Sequence, residues 1–178
     1  MNRFLLPLGG FALLAVVLAV GIKHSPENGL IKSPLLGKPA PEFSLPDLQE
    51  PNRTLSKSDL KGRWYVFNVW ATWCYACRDE HANLLEYQKQ GVAPIIGMDW
   101  NDHDDEALAY LKQLGNPYTQ VIADRDGRTA INFGVYGAPE TFLVNPDGIV
   151  VFKHVGPLTR EVWQREFLSR LPAKAAKS

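Results

Sequence analysis

The sequence has few cysteines and no excess of either charge. Its 178 residues include two cysteines and two methionines, and 19 lysines and arginines balance 19 aspartates and glutamates. Nucleic-acid binding that ignores base sequence needs a positively charged surface, so the balanced charge and the lack of a basic run argue against it. No internal repeat or low-complexity block is present. The length fits one globular domain with a substantial core and some additional segments.

Charge is also absent from a long run near the N-terminus, Phe4 to Ile22. A membrane-spanning helix needs roughly 20 apolar residues, so we predict an uncleaved anchor helix over residues 1–22. A cleaved signal peptide is the alternative, with Ala19-Val20-Gly21 as its small-x-small site. No cysteine stands where lipid attachment would need one. On a simple count, the lysines after the run oppose the positive-inside rule. The orientation of the anchor in the membrane must therefore be inferred from the chemistry of the rest of the chain.

The rest of the chain divides into a linker, a domain and a tail. Residues 23–36 mix Pro, Gly, Ser and charge, which is typical of a linker. The domain is expected over 37–173 and a frayed tail over 174–178. Within the domain, strand-like runs alternate with helical periodicity, and a hairpin and a closing helix follow. This order predicts an α/β protein with a central mixed sheet flanked by helices, which is a thioredoxin-like fold with an N-terminal extension.

The individual elements are predicted from their patterns. The predicted strands are "EFSLPDL", "WYVFNVW" and "VAPIIGMDW", followed by the hairpin of "ETFLVN" and "IVVFKHV". The predicted helices are the short "LSKSDLKG", Cys74 to about Gln90, Asp102 to Leu114, and a last helix that carries Trp163, Phe167 and Leu171. In the third of these helices the inward residues are expected to be Ala107, Leu108, Leu111 and Leu114.

The two cysteines, Cys74 and Cys77, form a CxxC pair for which four roles compete. A structural zinc site needs four ligands at suitable spacing, and the histidines of this chain are widely spread. Covalent haem attachment needs a histidine directly after the second cysteine, where this sequence has Arg78. A disulfide between such close residues closes almost no loop and constrains the unfolded chain little. A redox-active dithiol is the role that the surrounding sequence favours.

The surroundings of the pair predict different tasks for the two thiols. Cys74 lies where a buried strand ends and a helix begins, so free backbone N–H groups and the helix dipole favour its thiolate and make it the exposed nucleophile. Cys77 lies one turn inside, shielded, where it can resolve a mixed disulfide. Trp70 and Trp73 are expected to flank the site. Glu80, on the same helix face, could relay a proton to or from Cys77, and a solvated surface residue is the alternative.

The motifs "NVWATWCYACRDEH" and "GVYGAPETFLVNPDG" together resemble the CcmG/DsbE family, the periplasmic thioredoxin-like proteins of cytochrome c maturation. The segments "GKPAPEFSLPDL" and "LKQLGNPYTQVIAD" match in character and order. The resemblance covers about Gly37 to Gly156, and an N-terminal anchor fits the family as well. The second motif is more specific than CxxC, which all thioredoxin-like proteins share. We assign no role to "DWNDH" around Trp100.

The resemblance implies roles for particular residues. Cys74 would be the nucleophile, Cys77 the resolving thiol and Glu80 the proton-handling acid, because Asn68 stands where thioredoxin has a buried aspartate. Pro139 would be a cis-proline facing the redox disulfide Cys74–Cys77.

Three further positions follow from the same resemblance. Ala138 would pair with an extended substrate segment, and Glu140 would be a second acid near the site. Tyr75, with Trp73, would belong to the active-site loop. The dipeptide Tyr75-Ala76 lacks the proline that is common between such cysteines, which leaves the reduction potential open.

The resemblance also implies a function. The chain would be a thiol-disulfide oxidoreductase, anchored by one helix in the bacterial inner membrane with its domain in the periplasm. It would reduce the haem-binding cysteines of apocytochrome c, directly or through a maturation-complex protein, and a membrane reductant of the DsbD or CcdA type would recharge it. No metal and no cofactor is expected. The competing hypotheses are a TlpA/ResA-like reductase for another client such as a copper-site assembly factor, a Cu(I)-binding chaperone, and an oxidant.

Overall fold

The N-terminal helix, α1, runs from Leu5 to Lys23 in this computed structural model, which describes residues 5–23 and 33–172. The side chains described in it, at positions 7–21, are exposed. Across the described residues, no helix combines the length and the apolar character that crossing a bilayer requires. The predicted anchor helix is therefore not confirmed. Most of the predicted linker and the predicted tail at 174–178 lie outside the described residues.

A short hairpin opens the domain. Strand β1 (Ser44–Pro46) pairs antiparallel with β2 (Thr54–Ser56), and a 3₁₀ turn follows over Lys57–Leu60. The turn begins at Ser56, whose backbone N–H donates to the Asp59 carboxylate at 2.8 Å. Both the predicted edge strand and the predicted short helix are thus present.

A five-stranded mixed sheet forms the centre of the domain, in the order β5-β4-β3-β6-β7. Its strands are β3 (Tyr65–Trp70), β4 (Ile95–Trp100), β5 (Gln120–Asp124), β6 (Glu140–Val144) and β7 (Val150–Val155). Strands β3, β4 and β5 are parallel to one another, whereas β6 runs antiparallel to β3, and β7 antiparallel to β6. Every residue of β3 is buried, as its dense apolar composition predicted. Strand β5 was not predicted.

Helices cover both faces of the sheet. They are α2 (Tyr75–Gln90), α3 (Asp104–Leu114), α4 (Arg128–Asn132) and α5 (Arg160–Val162), which continues as a π-helix over Trp163–Leu168. Alternate residues of β3 belong to different cores: Val66 and Trp70 pack with α2, α3 and the last helix, and Phe67 packs with α4 and the hairpin side. The Tyr87 and Trp163 rings stack at 4.4 Å and join α2 to the last helix.

The inward face of α3 differs from the prediction. Ala107 and Leu111 are buried as expected, but Leu108 and Leu114 are exposed, and Tyr110 is buried instead. The Tyr110 ring packs against Trp70 at 5.4 Å and against His81 of α2 at 5.1 Å. The aromatic partners on β3 and α2 therefore determine which side of α3 faces inward, and these partners are distant in sequence.

The arrangement brings several chain ends to one edge of the sheet. The parallel strands β3 and β4 end there at Trp70 and Trp100, and the antiparallel β6 begins there at Glu140. Loops at the carboxyl ends of parallel strands are where α/β proteins hold their functional groups. The CxxC pair follows β3 directly.

Candidate active site

The cysteines form a disulfide at the start of α2. Cys74 is the N-cap residue of the helix, with extended backbone angles, and its Sγ accepts a hydrogen bond from the Cys77 N–H at 3.0 Å. The S–S bond measures 2.07 Å, and the two Cα atoms lie 5.3 Å apart. After reduction, the same N–H group and the helix dipole would face a Cys74 thiolate, which is the arrangement that lowers a thiol pKa.

Burial differs less between the two cysteines than the sequence suggested. Cys74 is 6% exposed and Cys77 is 3% exposed, and both belong to the core cluster that also contains Trp70. The expectation of an exposed Cys74 sulfur is therefore not met in the disulfide form. Its neighbours in the loop are exposed instead: Trp73 is 56% exposed and Tyr75 is 80% exposed. A client would approach the disulfide past these two aromatic rings.

Glu80 is completely buried on the same face of α2 as Cys77, one turn further along. Its Oε1 accepts from Asn68 Nδ2 at 2.9 Å, and its Oε2 accepts from the Leu158 N–H at 2.6 Å. Burial raises the pKa of Glu80 from the ordinary value of 4.5 to about 7, although these two hydrogen bonds favour the carboxylate. The interpretation of Glu80 as a solvated surface residue is therefore wrong. A carboxyl group that titrates near neutral pH can both accept and return a proton.

A polar network buried in the core holds Asn68 in place beside Glu80. The Asn68 side chain also donates to Thr141 Oγ1 at 3.0 Å and accepts from the Tyr118 hydroxyl at 2.9 Å. These residues come from β3, β6 and the segment before β5, so three separate parts of the chain orient one carboxyl group. The amide, which carries no charge, can donate to Glu80 in either of its protonation states.

The loop before β6 supplies the second acid. The Ala138–Pro139 peptide bond is cis, the geometry that the resemblance implied, and Ala138 packs against the cluster that contains the cysteines. Glu140 is fully buried, and its Oε2 lies 2.7 Å from Lys153 Nζ, whose side chain is only 5% exposed. Its Oε1 accepts from the Tyr136 N–H at 3.2 Å. Glu140 is therefore held as half of a buried ion pair.

The loop between β3 and Cys74 is fastened to the loop after β4. The Asp102 carboxylate accepts from the Thr72 N–H at 2.6 Å and from the Thr72 hydroxyl at 3.0 Å. The Trp73 indole N–H donates to the Asn101 carbonyl at 3.1 Å. These contacts come from "DWNDH", a motif whose residue types alone indicated no role.

Comparison with known proteins agrees with this geometry. The family model described as Redoxin matches residues 35–167. A thiol:disulfide interchange protein DsbE from Allochromatium vinosum is 48% identical over 165 residues, which cover 93% of this chain and 90% of that protein. The chain belongs to the DsbE family. A second DsbE, from Pseudomonas aeruginosa, is 44% identical over 162 residues and covers 91% of this chain and 88% of its own length.

A solved structure extends the likeness to the fold of the domain. The crystal structure of a thiol:disulfide interchange protein of the thioredoxin family from Chlorobium tepidum has a TM-score of 0.64 at 26% identity. The match covers 75% of this chain and 96% of that one. The thioredoxin-like fold predicted from the order of elements is confirmed, and the protein is a thiol-disulfide oxidoreductase with Cys74–Cys77 as its CxxC pair.

The structure gathers most of the predicted DsbE site residues at one edge of the sheet. The disulfide, Glu80 and the cis-proline loop are buried close to the ends of β3 and β6, and Trp73 and Tyr75 are exposed beside them. Sequence reasoning missed Lys153, Tyr118, Thr72 and Asp102. A lysine in the otherwise apolar run "IVVFKHV" and the polar "DWNDH" directly after a buried strand were the available signals.

Proposed function

We propose that this member of the DsbE family is a reductant of the haem-binding CxxCH cysteines of apocytochrome c, acting directly or through a maturation-complex protein. A membrane reductant of the DsbD or CcdA type would restore its dithiol. Reduced cysteines are needed for thioether bonds to haem, and they oxidise in a compartment such as the bacterial periplasm. The proposal is supported by the similarity to DsbE proteins along about nine-tenths of their length.

The observation that carries the direction of electron flow is Glu80, fully buried one helical turn from Cys77. A disulfide is a strong oxidant when the dithiol formed by its reduction is stabilised, as in DsbA. A carboxyl group buried beside Cys77 has the opposite effect, because it disfavours a second negative charge on the sulfur. The acid therefore favours the disulfide over the dithiolate and makes the reduced protein a better electron donor.

Reduction of a client disulfide would proceed in two exchanges. The Cys74 thiolate attacks one client sulfur, and the second client sulfur leaves as a thiolate that takes up a proton. Cys77 then loses its proton to the Glu80 carboxylate and attacks Cys74 Sγ, which releases the first client sulfur as a thiolate that takes up the second proton from solvent. The client gains two electrons and two protons, and Cys74–Cys77 becomes the disulfide seen in the structure.

Attachment to the inner membrane is part of the proposal. The support is the uncharged run of α1, whose described side chains are exposed, together with the client's compartment. Fractionation of cells that express the full-length chain tests it. The protein should stay in the membrane pellet after a high-salt wash and be accessible to protease from the periplasmic side. Release into the periplasmic fraction would favour the cleaved signal peptide instead.

Trapping of the mixed disulfide tests the client. In the Cys77→Ser variant the second exchange cannot occur, so the client should remain attached to Cys74 and be identifiable by mass spectrometry. Cys74→Ser is the matched control and should trap nothing. Recovery of apocytochrome c or a maturation-complex protein supports the proposal. Recovery of an unrelated client, such as a copper-site assembly factor, would instead support a TlpA/ResA-like reductase.

Two further measurements distinguish a reductant from an oxidant and from a copper chaperone. A reduction potential near that of the strong periplasmic oxidant, about −120 mV, would reject a reductant. Stoichiometric Cu(I) on the purified protein, with no exchange that depends on Cys74, would favour a copper chaperone because thiolates suit Cu(I). Among the described residues, no group of three or more His, Cys, Asp or Glu side chains is placed to hold a metal ion.

A further inference from the structure

The end of β4 and the loop after it, Asp99 to Asp102, support the active-site loop through three separate contacts. Asp102 binds both the N–H and the hydroxyl of Thr72, and the Asn101 carbonyl accepts from the Trp73 indole. The Trp73 and Trp100 rings also pack at 5.5 Å. Thr72 and Trp73 directly precede Cys74, so this segment determines where the nucleophile stands. Asn101 has a φ of 49°, in the left-handed region, which turns the chain back towards the loop.

Asp99 and Asp102 form a pair of carboxyl groups at this point. Asp99 is 2% exposed, and its Oδ1 has no hydrogen-bond partner among the described residues. The charge of Asp102 acts on Asp99, and of two carboxyl groups placed together in a protein one is favoured to hold a proton. Asp102 also accepts from three donors, the third being the His103 N–H at 2.8 Å. These donors satisfy the Asp102 oxygens, whereas Asp99 is buried with an unpartnered Oδ1 among the described residues and is the member of the pair that holds the proton.

The charges around Asp99 favour this assignment. Asp102 and Asp104 add negative charge near Asp99. Arg125 opposes them only weakly because it is paired with Asp104. Tyr118 is the titratable group that faces both Asp99 and Glu80. Burial is the largest cause, followed by the Asp102 charge, and together they raise the pKa of Asp99 from 3.8 to about 8.

We propose that Asp99 and Asp102 share one proton and that this carboxyl pair is a positioning device for the Thr72–Trp73 segment. The pair acts on Cys74 through that segment and does not touch the reacting sulfurs. Loss of the shared proton leaves a carboxylate at the buried Asp99 next to the half-buried Asp102 carboxylate, and the two like charges repel each other. Asp102 then withdraws from Thr72, and the segment before Cys74 loosens. This inference rests on the exchange chemistry of the family and not on the identity of the client.

The first test measures the environment of the Thr72–Trp73 segment in the oxidised full-length protein, in which no thiol titrates. The NMR signal of the Trp73 indole N–H is followed from pH 6 to 9.5 in a Glu80→Gln background, which removes the titration of Glu80. We expect an alkaline titration in this background that is absent once Asp99→Asn is added, because the amide donates to Asp102 at every pH. Asp126→Asn, an exposed acid, is the matched control and should keep the titration. A Trp73 signal without an alkaline step, or a step that survives Asp99→Asn, would overturn the proposal.

The second test measures the rate at which the reduced protein attacks a model peptide disulfide. Asp102→Asn loses acceptor capacity for Thr72, so we expect a roughly tenfold slower attack across the pH range, given that misplacement by about 1 Å can cost about 100-fold. Thr72→Val removes the hydroxyl that donates to Asp102, so it should also lower the rate of attack. Asp126→Asn should react as the unmodified protein does. Equal rates in all four proteins, or slowing by Asp102→Asn that Thr72→Val does not share, would refute a positioning role. Neither test depends on which client is trapped by Cys77→Ser.

Discussion

At the scale of single residues, the site keeps two buried carboxyl groups by different means. Glu140 is paired with Lys153, whereas Glu80 has no cation beside it among the described residues and relies on two hydrogen bonds. Burying a carboxylate without a cation costs enough that its pKa rises. With its pKa raised to about 7, Glu80 can exchange a proton near neutral pH.

Glu80→Gln should slow the release of the client from the mixed disulfide. Cys77 must lose a proton to attack, and the rate in the unmodified protein should rise with pH as Glu80 ionises with its pKa of about 7. The amide cannot accept that proton, so we expect the rise to disappear and the rate above pH 7 to fall at least about tenfold. Stopped-flow measurement of a preformed mixed disulfide follows the step. Glu86→Gln, a more exposed acid on the same helix, is the control, and an unchanged pH–rate curve for Glu80→Gln would remove Glu80 from the mechanism.

Asn68→Asp should destabilise the domain, and more at high pH. The change replaces the donor to Glu80 Oε1 by a second carboxyl oxygen, which costs about 1–3 kcal/mol for the lost hydrogen bond. Below pH 7 the protonated Glu80 can donate to the introduced carboxylate, whereas above it two carboxylates repel each other. Urea unfolding at pH 6 and pH 8 measures the difference. The exposed Asn132→Asp should change little, and an equal loss at both pH values would mean that Glu80 keeps one charge state throughout.

At the scale of elements, local patterns predicted the parts of the fold whose partners are nearby. The run "WYVFNVW" identified β3, and the change to helical periodicity placed the start of α2 at the cysteines. Strand β5 is defined by its pairing with β4 and by a bridge between Asp47 and Ile122, and these contacts with distant segments are not visible in its own run of residues. The contact of Asp102 with Thr72 joins two loops that meet because β3 and β4 are parallel neighbours. The spacing of residues along the sequence does not predict a contact between these two loops.

The β6–β7 hairpin depends on its buried ion pair. Lys153→Met leaves Glu140 buried without its cation, which typically costs about 3–5 kcal/mol of unfolding free energy. The double variant Glu140→Gln/Lys153→Met removes both charges and should recover most of that loss. A double-mutant cycle by urea denaturation measures the coupling. Additive effects of the two single changes would show that the 2.7 Å contact contributes nothing to stability.

At the scale of the whole molecule, the active site exists only in the folded chain. Glu80 is held by residues from β3 and from the segment before α5, and the loop that carries Cys74 is held by the segment after β4. Unfolding therefore releases the dithiol from every group that tunes it. The difference in reduction potential between the folded and the unfolded chain therefore equals the difference in unfolding free energy between the oxidised and the reduced protein, once both are expressed in the same units.

The oxidised full-length protein should be more stable than the reduced one at pH 7. Glu80 disfavours negative charge on Cys77 in the folded chain only, so folding favours the disulfide, by about 1.4 kcal/mol for every 30 mV that the potential falls below that of the unfolded dithiol. Urea unfolding with and without dithiothreitol measures the gap. Glu80→Gln should narrow it, and the double variant Cys74→Ser/Cys77→Ser should show no response to dithiothreitol. A reduced form more stable than the oxidised one would mean that the folded site is an oxidant, because stabilisation of the dithiol is what makes such a disulfide accept electrons.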